Sequence, residues 1–196
     1  MNRSVALALA AAVSVAVAPS AAFAADPAQD TVNALHGGLL TLMKSGANQA
    51  GRVRAITPVI ERTFDIPLMT RLAVGPSWNT IPAAQQGQLV QAFRNLTAAQ
   101  YAKNFNSYAG EQFVMGQVET RAGDKLVRTT LTSGRTSESL NYRLRASGAQ
   151  WKIIDVYYRN AISQLATRRA DFDRVLKTGG AAALITHLNR LAARAG

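Results

Sequence analysis

Apolar residues recur at helical spacing through the first half of the chain and at alternate positions through much of the second. Asp26-Pro27 supplies an N-cap and a first-turn proline for a helix reaching about Gly46, with Val32, Leu35, Leu39, Leu40, Leu42 and Met43 on its apolar side. A second helix is expected from about Ala50 to Thr63. Phe64-Asp65 then reads as a staple residue and N-cap for a short helix carrying Leu68, Met69 and Leu72, which Gly75-Pro76 ends. The longest helix should run from about Pro82 to Tyr108, because Leu89, Val90, Phe93, Leu96, Tyr101, Phe105 and Tyr108 recur on one side against Gln, Arg, Asn and Lys on the other.

From Glu111 the period shortens, and strands are expected at about 111–119, 125–133, 137–146 and 150–158. Arg121-Ala122-Gly123-Asp124 and Ser147-Gly148 read as hairpin turns. Two helices, near 162–177 and 180–193, close the chain on either side of Thr178-Gly179-Gly180. Helices first and strands later predict an α+β fold: an antiparallel four-stranded meander sheet with helices packed on one face. Tyr142 and Leu144 should face the helices, and Arg143 and Arg145 the solvent.

The last strand, WKIIDVYY, breaks the alternation. Trp151, Ile153 and Tyr157 fall in one register and Ile154, Val156 and Tyr158 in the other, so both faces are apolar and each must be covered or line a cavity. Asp155 sits inside this run. On a helical wheel begun at Leu165, Phe172 and Leu176 lie within about 20° and Arg169 at about 40°, with Arg168 at about −60° near the edge. A guanidinium on the buried face demands an anionic partner, and Asp155 is the nearest acid in sequence, with Asp65 and Glu61 as others. The expectation is an Arg169–Asp155 ion pair fastening helix to strand; a lipid headgroup is the alternative partner for Arg169.

The start of the chain changes where this fold would work. Arg3, the apolar run Val5 to Ala18, Pro19 and Ala22-Phe23-Ala24 make residues 1–24 a secretory signal peptide, too short in its apolar run for a spanning anchor, with cleavage expected after Ala24 and residues 25–196 forming one domain. The net charge of +11 would suggest nucleic acid in a cytosolic protein; export redirects it to the anionic membrane surfaces and headgroups of the cell envelope, or to plain solubility. Cysteine is absent, which excludes disulfides and thiolate metal sites.

Signs of catalysis are few. His36 and His187 lie on different helices with no ligand spacing, Gly75-Pro76-Ser77-Trp78-Asn79 lacks the closing glycine of a nucleophile elbow, and no phosphate-cradling loop occurs. Neither a metal nor a cofactor is implied. Asp155 in an apolar pocket could serve as a base in a small-molecule enzyme, and a ligand-free envelope adaptor is a third class consistent with the basic surface.

FDIPLMTRLAVGPSW (64–78), QQGQLVQAFRNLTAAQYAKNF (85–105), YRLR followed by WKIIDV (142–156), and R-x-x-F at Arg169 to Phe172 occur in an order and spacing that resembles the MlaC, or toluene-tolerance, family of periplasmic lipid-binding proteins. The resemblance covers nearly all of the chain beyond the leader. It implies a non-catalytic soluble carrier of phospholipid between an outer-membrane lipoprotein complex and an inner-membrane ABC transporter with an MCE-domain subunit, and no nucleic-acid partner. After the last strand this chain reads RNAISQLATRR where the family usually has a G-V-S-L-V-x-N-Y-R-like segment; that variant resembles the hopanoid-cluster branch and makes a hopanoid-type lipid the alternative cargo. Such a cargo needs an apolar cavity, whose lining is expected from Val127, Leu131, Leu140, Tyr142, Leu144, Ile154 and Val156 of the sheet and from Leu72, Leu89, Phe93 and Leu96 of the helices.

Overall fold

The computed structural model describes residues 26–195; the expected leader and its cleavage point lie outside them. Five helices and five strands follow in the order α1 (Pro27–Lys44), α2 (Gln49–Thr63), α3 (Ile66–Val74), a 3-10 turn (Gly75–Thr80), α4 (Ala83–Asn104), β1 (Gln112–Arg121), β2 (Asp124–Ser133), β3 (Thr136–Ser147), β4 (Gln150–Tyr158), β5 (Ile162–Ser163) and α5 (Gln164–Ala195). The strands form one antiparallel meander in chain order, so the fold is α+β as the patterning predicts, with β5 a two-residue addition to the four expected strands.

Local chemistry sets the helix starts. The Asp26 carboxylate accepts from the Ala28 N–H, and the Gln29 side chain returns a bond to the Asp26 N–H. Asn48 and Asp65 cap α2 and α3 by accepting from Gly51 and Leu68 N–H groups. Helix α4 stops at Asn104, short of the expected Tyr108, because Phe105 leaves helical geometry (φ −112°, ψ 61°) and stacks its ring on Tyr101. Helix α5 is broken at Gly180, whose φ of 64° is open to glycine at little cost, within the Thr178-Gly179-Gly180 break read from the sequence.

Strand β4 explains its own composition. Pairing with β3 runs Arg143 to Asp155 and then Leu144 to Ile153, which leaves Ile154 as the extra residue of a β-bulge. The slip places Ile153 opposite Leu144 and Val156 opposite Tyr142, on the helix-facing side. Residues 153–156 are all buried in consequence. The outer edge of β4 is sealed as well: Ile153 bridges to Phe64, with the Asp65 N–H donating to the Ile153 carbonyl, while Tyr157 and Tyr158 pair with β5. One hydrophobic cluster then joins Val32, Leu35 and Leu39 of α1, Ile56 and Ile60 of α2, Leu89, Phe93 and Leu96 of α4, Phe172 and Leu184 of α5, and the inner face of the sheet.

His36 is enclosed in that cluster. Its ring stacks on Phe113 with centroids 4.0 Å apart, its Nε2 lies 3.1 Å from the Tyr142 hydroxyl, and burial pushes its pKa down to about 4. The folded protein therefore holds His36 neutral, while the unfolded chain takes up a proton below about pH 6.5. Stability is complete above that value and falls as the unfolded form protonates, by about 2 kcal/mol between pH 7 and pH 5. Carboxylates held below their usual range, such as Asp124, act only at lower pH. Urea unfolding at a series of pH values should show this slope, and His36→Gln should remove most of it.

Candidate functional site

At the end of the sheet formed by the β2–β3 turn and the close of β4, the elements splay around a pocket of about 520 Å3, within the roughly 300–1,000 Å3 typical of ligand sites. Helix α4 supplies one wall through Phe93, Thr97, Gln100, Tyr101 and Asn104, positions that fall on one stripe at helical spacing, and Phe105 just past its end continues that wall. Leu131, Glu138, Leu140, Val156 and Tyr158 form the sheet wall. Phe64 and Met69 lie beneath, and Gln164, Leu165 and Arg168 of α5 close the remaining side. Most of the pocket surface is apolar, and its polar groups include Thr97, Gln100, Asn104, Glu138, Gln164 and Arg168.

Aromatic packing fixes the walls. Tyr101 stacks on Phe105 at 5.7 Å and takes the edge of Phe64 at 5.6 Å, while Phe93 meets Phe172 of α5 edge to face at 5.8 Å. Burial raises the pKa of the Tyr101 phenol, so it stays neutral. Glu138 is bound by Arg159 through two bonds of 2.9 and 3.0 Å. Arg168 donates from Nη2 to Gln100 Oε1 at 2.5 Å.

Of the residues expected to line a cavity, Phe93, Leu131, Leu140 and Val156 do so. Leu89, Leu96, Val127, Tyr142, Leu144 and Ile154 are instead packed into the core with almost no exposure, and Leu72 is half-buried away from the pocket. The reason is position along the sheet: Val127, Tyr142 and Leu144 lie further from the β2–β3 turn than Leu131 and Leu140. The polar half of the lining was not anticipated, because Gln100 and Asn104 belong to the side of α4 that reads as solvent-facing. A signal was available in the spacing of Thr97, Gln100, Tyr101 and Asn104, which continues the Phe93 stripe.

The expected Arg169–Asp155 ion pair does not form. Asp155 is 3% exposed, and its carboxylate accepts from the Ser163 hydroxyl at 2.6 Å, the Val156 N–H at 2.8 Å and the Leu165 N–H at 3.0 Å. It thus caps the start of α5 from across the chain, beside the local cap in which Ser163 accepts from the Ala166 N–H. Arg169 is exposed and lies against Gly75 at the end of α3, where a Cβ would come within 3.3 Å of its Nη2. The wheel was centred too far toward Arg169: half-buried Val175 and Asp171 extend the inner face on the Arg168 side, toward α4. Asp65 and Glu61 do not pair with Arg169 either, since Asp65 caps α3 and Glu61 binds Arg94.

Arg143 and Arg145 project from the opposite face of the sheet, where both converge on Asp124 at 2.5 to 2.8 Å. These bonds hold the Asp124 carboxyl below the usual carboxylate range. Neighbouring cations are similarly engaged, Lys125 by Asp26 and Arg128 by Glu119. A second, polar concavity of about 330 Å3 lies there, lined by Arg121, Arg128, Asn141 and Arg143 among others. His187 bonds Asp171 at 2.9 Å, far in sequence from His36, and no group of three or more acidic, histidine or cysteine residues that could hold a metal occurs among the described residues. Nor is any described helix long and apolar enough to cross a membrane.

The MlaC protein family matches residues 33–190 of this chain. The chain belongs to the MlaC family. Its members are non-enzymatic, periplasmic lipid carriers, which sets aside the reading of Asp155 as a catalytic base, as its saturated hydrogen bonding also does. A solved structure of the phospholipid-binding protein from Ralstonia solanacearum in complex with a phospholipid is similar, with a TM-score of 0.76 at 24% identity over 86% of this chain and 98% of that one. This likeness is one of fold. Among curated proteins none matches this sequence.

Asp155→Ala should strand the Leu165 N–H and the Ser163 hydroxyl and cost about 2 to 3 kcal/mol in urea or thermal unfolding. Arg169→Ala, on the exposed side, should stay within about 0.5 kcal/mol of the parent. Equal losses in the two variants would restore the ion-pair account.

Proposed function

We propose that this protein is a periplasmic phospholipid carrier, binding acyl chains in the pocket between α4, the sheet and the start of α5. The observation that carries this reading is the pocket itself: about 520 Å3, with a mostly apolar wall and a few polar groups, in a chain of the MlaC family. Each methylene moved from water into such a site contributes about 0.8 kcal/mol, so even part of an acyl chain supplies strong binding without chemistry. A phospholipid bound to the similarly folded Ralstonia solanacearum protein supports the same cargo class here.

The finer reading is transport. The carrier is exported, its leader is removed after Ala24, and it takes lipid between an outer-membrane lipoprotein complex and an inner-membrane MCE-domain ABC transporter. A hopanoid-type lipid is the alternative cargo suggested by RNAISQLATRR at 159–169. Either cargo would occupy the same pocket.

Native mass spectrometry of protein purified from envelope extracts should show adducts of lipid mass, and their identification separates phospholipid from hopanoid. Thr97→Trp and Leu140→Trp, which fill the pocket from two walls, should each lower bound lipid by about tenfold while leaving the circular dichroism spectrum unchanged. Protein that is free of lipid and refuses phospholipid from vesicles would contradict the carrier reading and favour a ligand-free adaptor.

A further inference from the structure

Two charged side chains line the pocket, Glu138 and Arg168, and they are in different states. Glu138 is neutralised by the forked contact from Arg159. Arg168 has no carboxylate within ion-pair distance among the described residues. Its side-chain bond goes to the neutral Gln100, and the nearby Asp171 is already engaged by Arg174 at 2.5 Å and His187 at 2.9 Å. Desolvation lowers the pKa of Arg168, offset only in part by the charge of Asp171, yet a guanidinium keeps its proton. A half-buried cation without a counter-ion is costly unless something anionic arrives to meet it.

We propose that Arg168, held in place by Gln100, is the headgroup clamp of the pocket, forking onto the anionic oxygens of a phosphate-bearing lipid whose acyl chains lie among Phe93, Leu140 and Val156. This rests on the lipid-carrier reading and adds to it a selection for phosphate. Geometry supports the division of labour. Arg168 stands one helical turn beyond Leu165 on α5, and Gln100 stands between Thr97 and Asn104 on the facing stripe of α4, so the cation borders the apolar lining from the polar side. Arginine suits the role because its planar fork matches two phosphate oxygens, where lysine offers a point charge. A carboxylate lipid or free phosphate shares the anionic oxygen, and the probes must tell these apart.

The experiment measures displacement of a fluorescent fatty-acyl probe from the full chain by four competitors: phosphatidylglycerol, diacylglycerol with the same acyl chains, the matching free fatty acid, and inorganic phosphate. The parent should prefer phosphatidylglycerol to diacylglycerol by about tenfold or more. Arg168→Gln should bring that ratio close to one while leaving diacylglycerol affinity within about twofold, and Arg168→Lys should recover part of it. A ratio that Arg168→Gln leaves unchanged, or a parent without preference, would overturn the clamp while sparing the carrier. Failure of every lipid to displace or bind would overturn both. Fatty acid equal to phosphatidylglycerol would overturn phosphate selection, and displacement by inorganic phosphate alone would show an anion site with no need of a lipid.

Discussion

Strand β4 must be buried on both faces and sealed along its outer edge, and much of the molecule is arranged around that requirement. Around the bulge at Ile154 four successive residues are buried, with Ile153 and Val156 on the helix-facing side and Asp155 on the other, and such a strand cannot stand at the rim of a sheet without cover. Phe64 and Asp65, at the junction of α2 and α3, close its lower part, and β5 closes the upper part. Asp155, on the face of β4 that it shares with Arg143, is the acceptor that anchors the first turn of α5. The position of α5 against α4, and with it one side of the pocket, thus depends on a carboxylate in an apolar strand.

That arrangement separates core from pocket along one continuous sheet. Away from the β2–β3 turn, Tyr142, Leu144 and Val127 meet the helices and are wholly buried. Toward the β2–β3 turn, α4 ends with Phe105 turning out of helical geometry, and the sheet residues Leu131 and Leu140 are left facing a space that the helices do not fill. The same alternation of side chains that builds the core therefore supplies the pocket wall once the facing helix stops. Polar residues follow at the border because groups there keep contact with water or with one another.

The helices, the order of the four long strands and the break near Gly180 were legible because capping residues, turn glycines and periodicity are local signals. The 3-10 turn at Gly75–Thr80 and the two-residue β5 were not, since neither is long enough to show a period. Of the site, Phe93, Leu131, Leu140 and Val156 were within reach of the same reasoning that wrongly included Val127 and Tyr142. Period tells which face a residue occupies, while its distance from the end of the facing helix decides between core and pocket. Arg168 was missed for a related reason. A wheel centred on Leu165, Phe172 and Leu176 gave Arg169 the inner place, whereas packing against α4 rotates the buried face toward Val175 and Arg168.

The central claim, that acyl chains occupy the space between α4 and the end of the sheet, is tested most directly by photo-crosslinking with a phospholipid carrying a reactive group near the end of one acyl chain, followed by peptide mapping. The account predicts adducts on Phe93, Thr97, Leu140 and Val156 and none on the opposite face near Arg143 and Asn141. Adducts concentrated on that opposite face, or spread without preference over the surface, would contradict it.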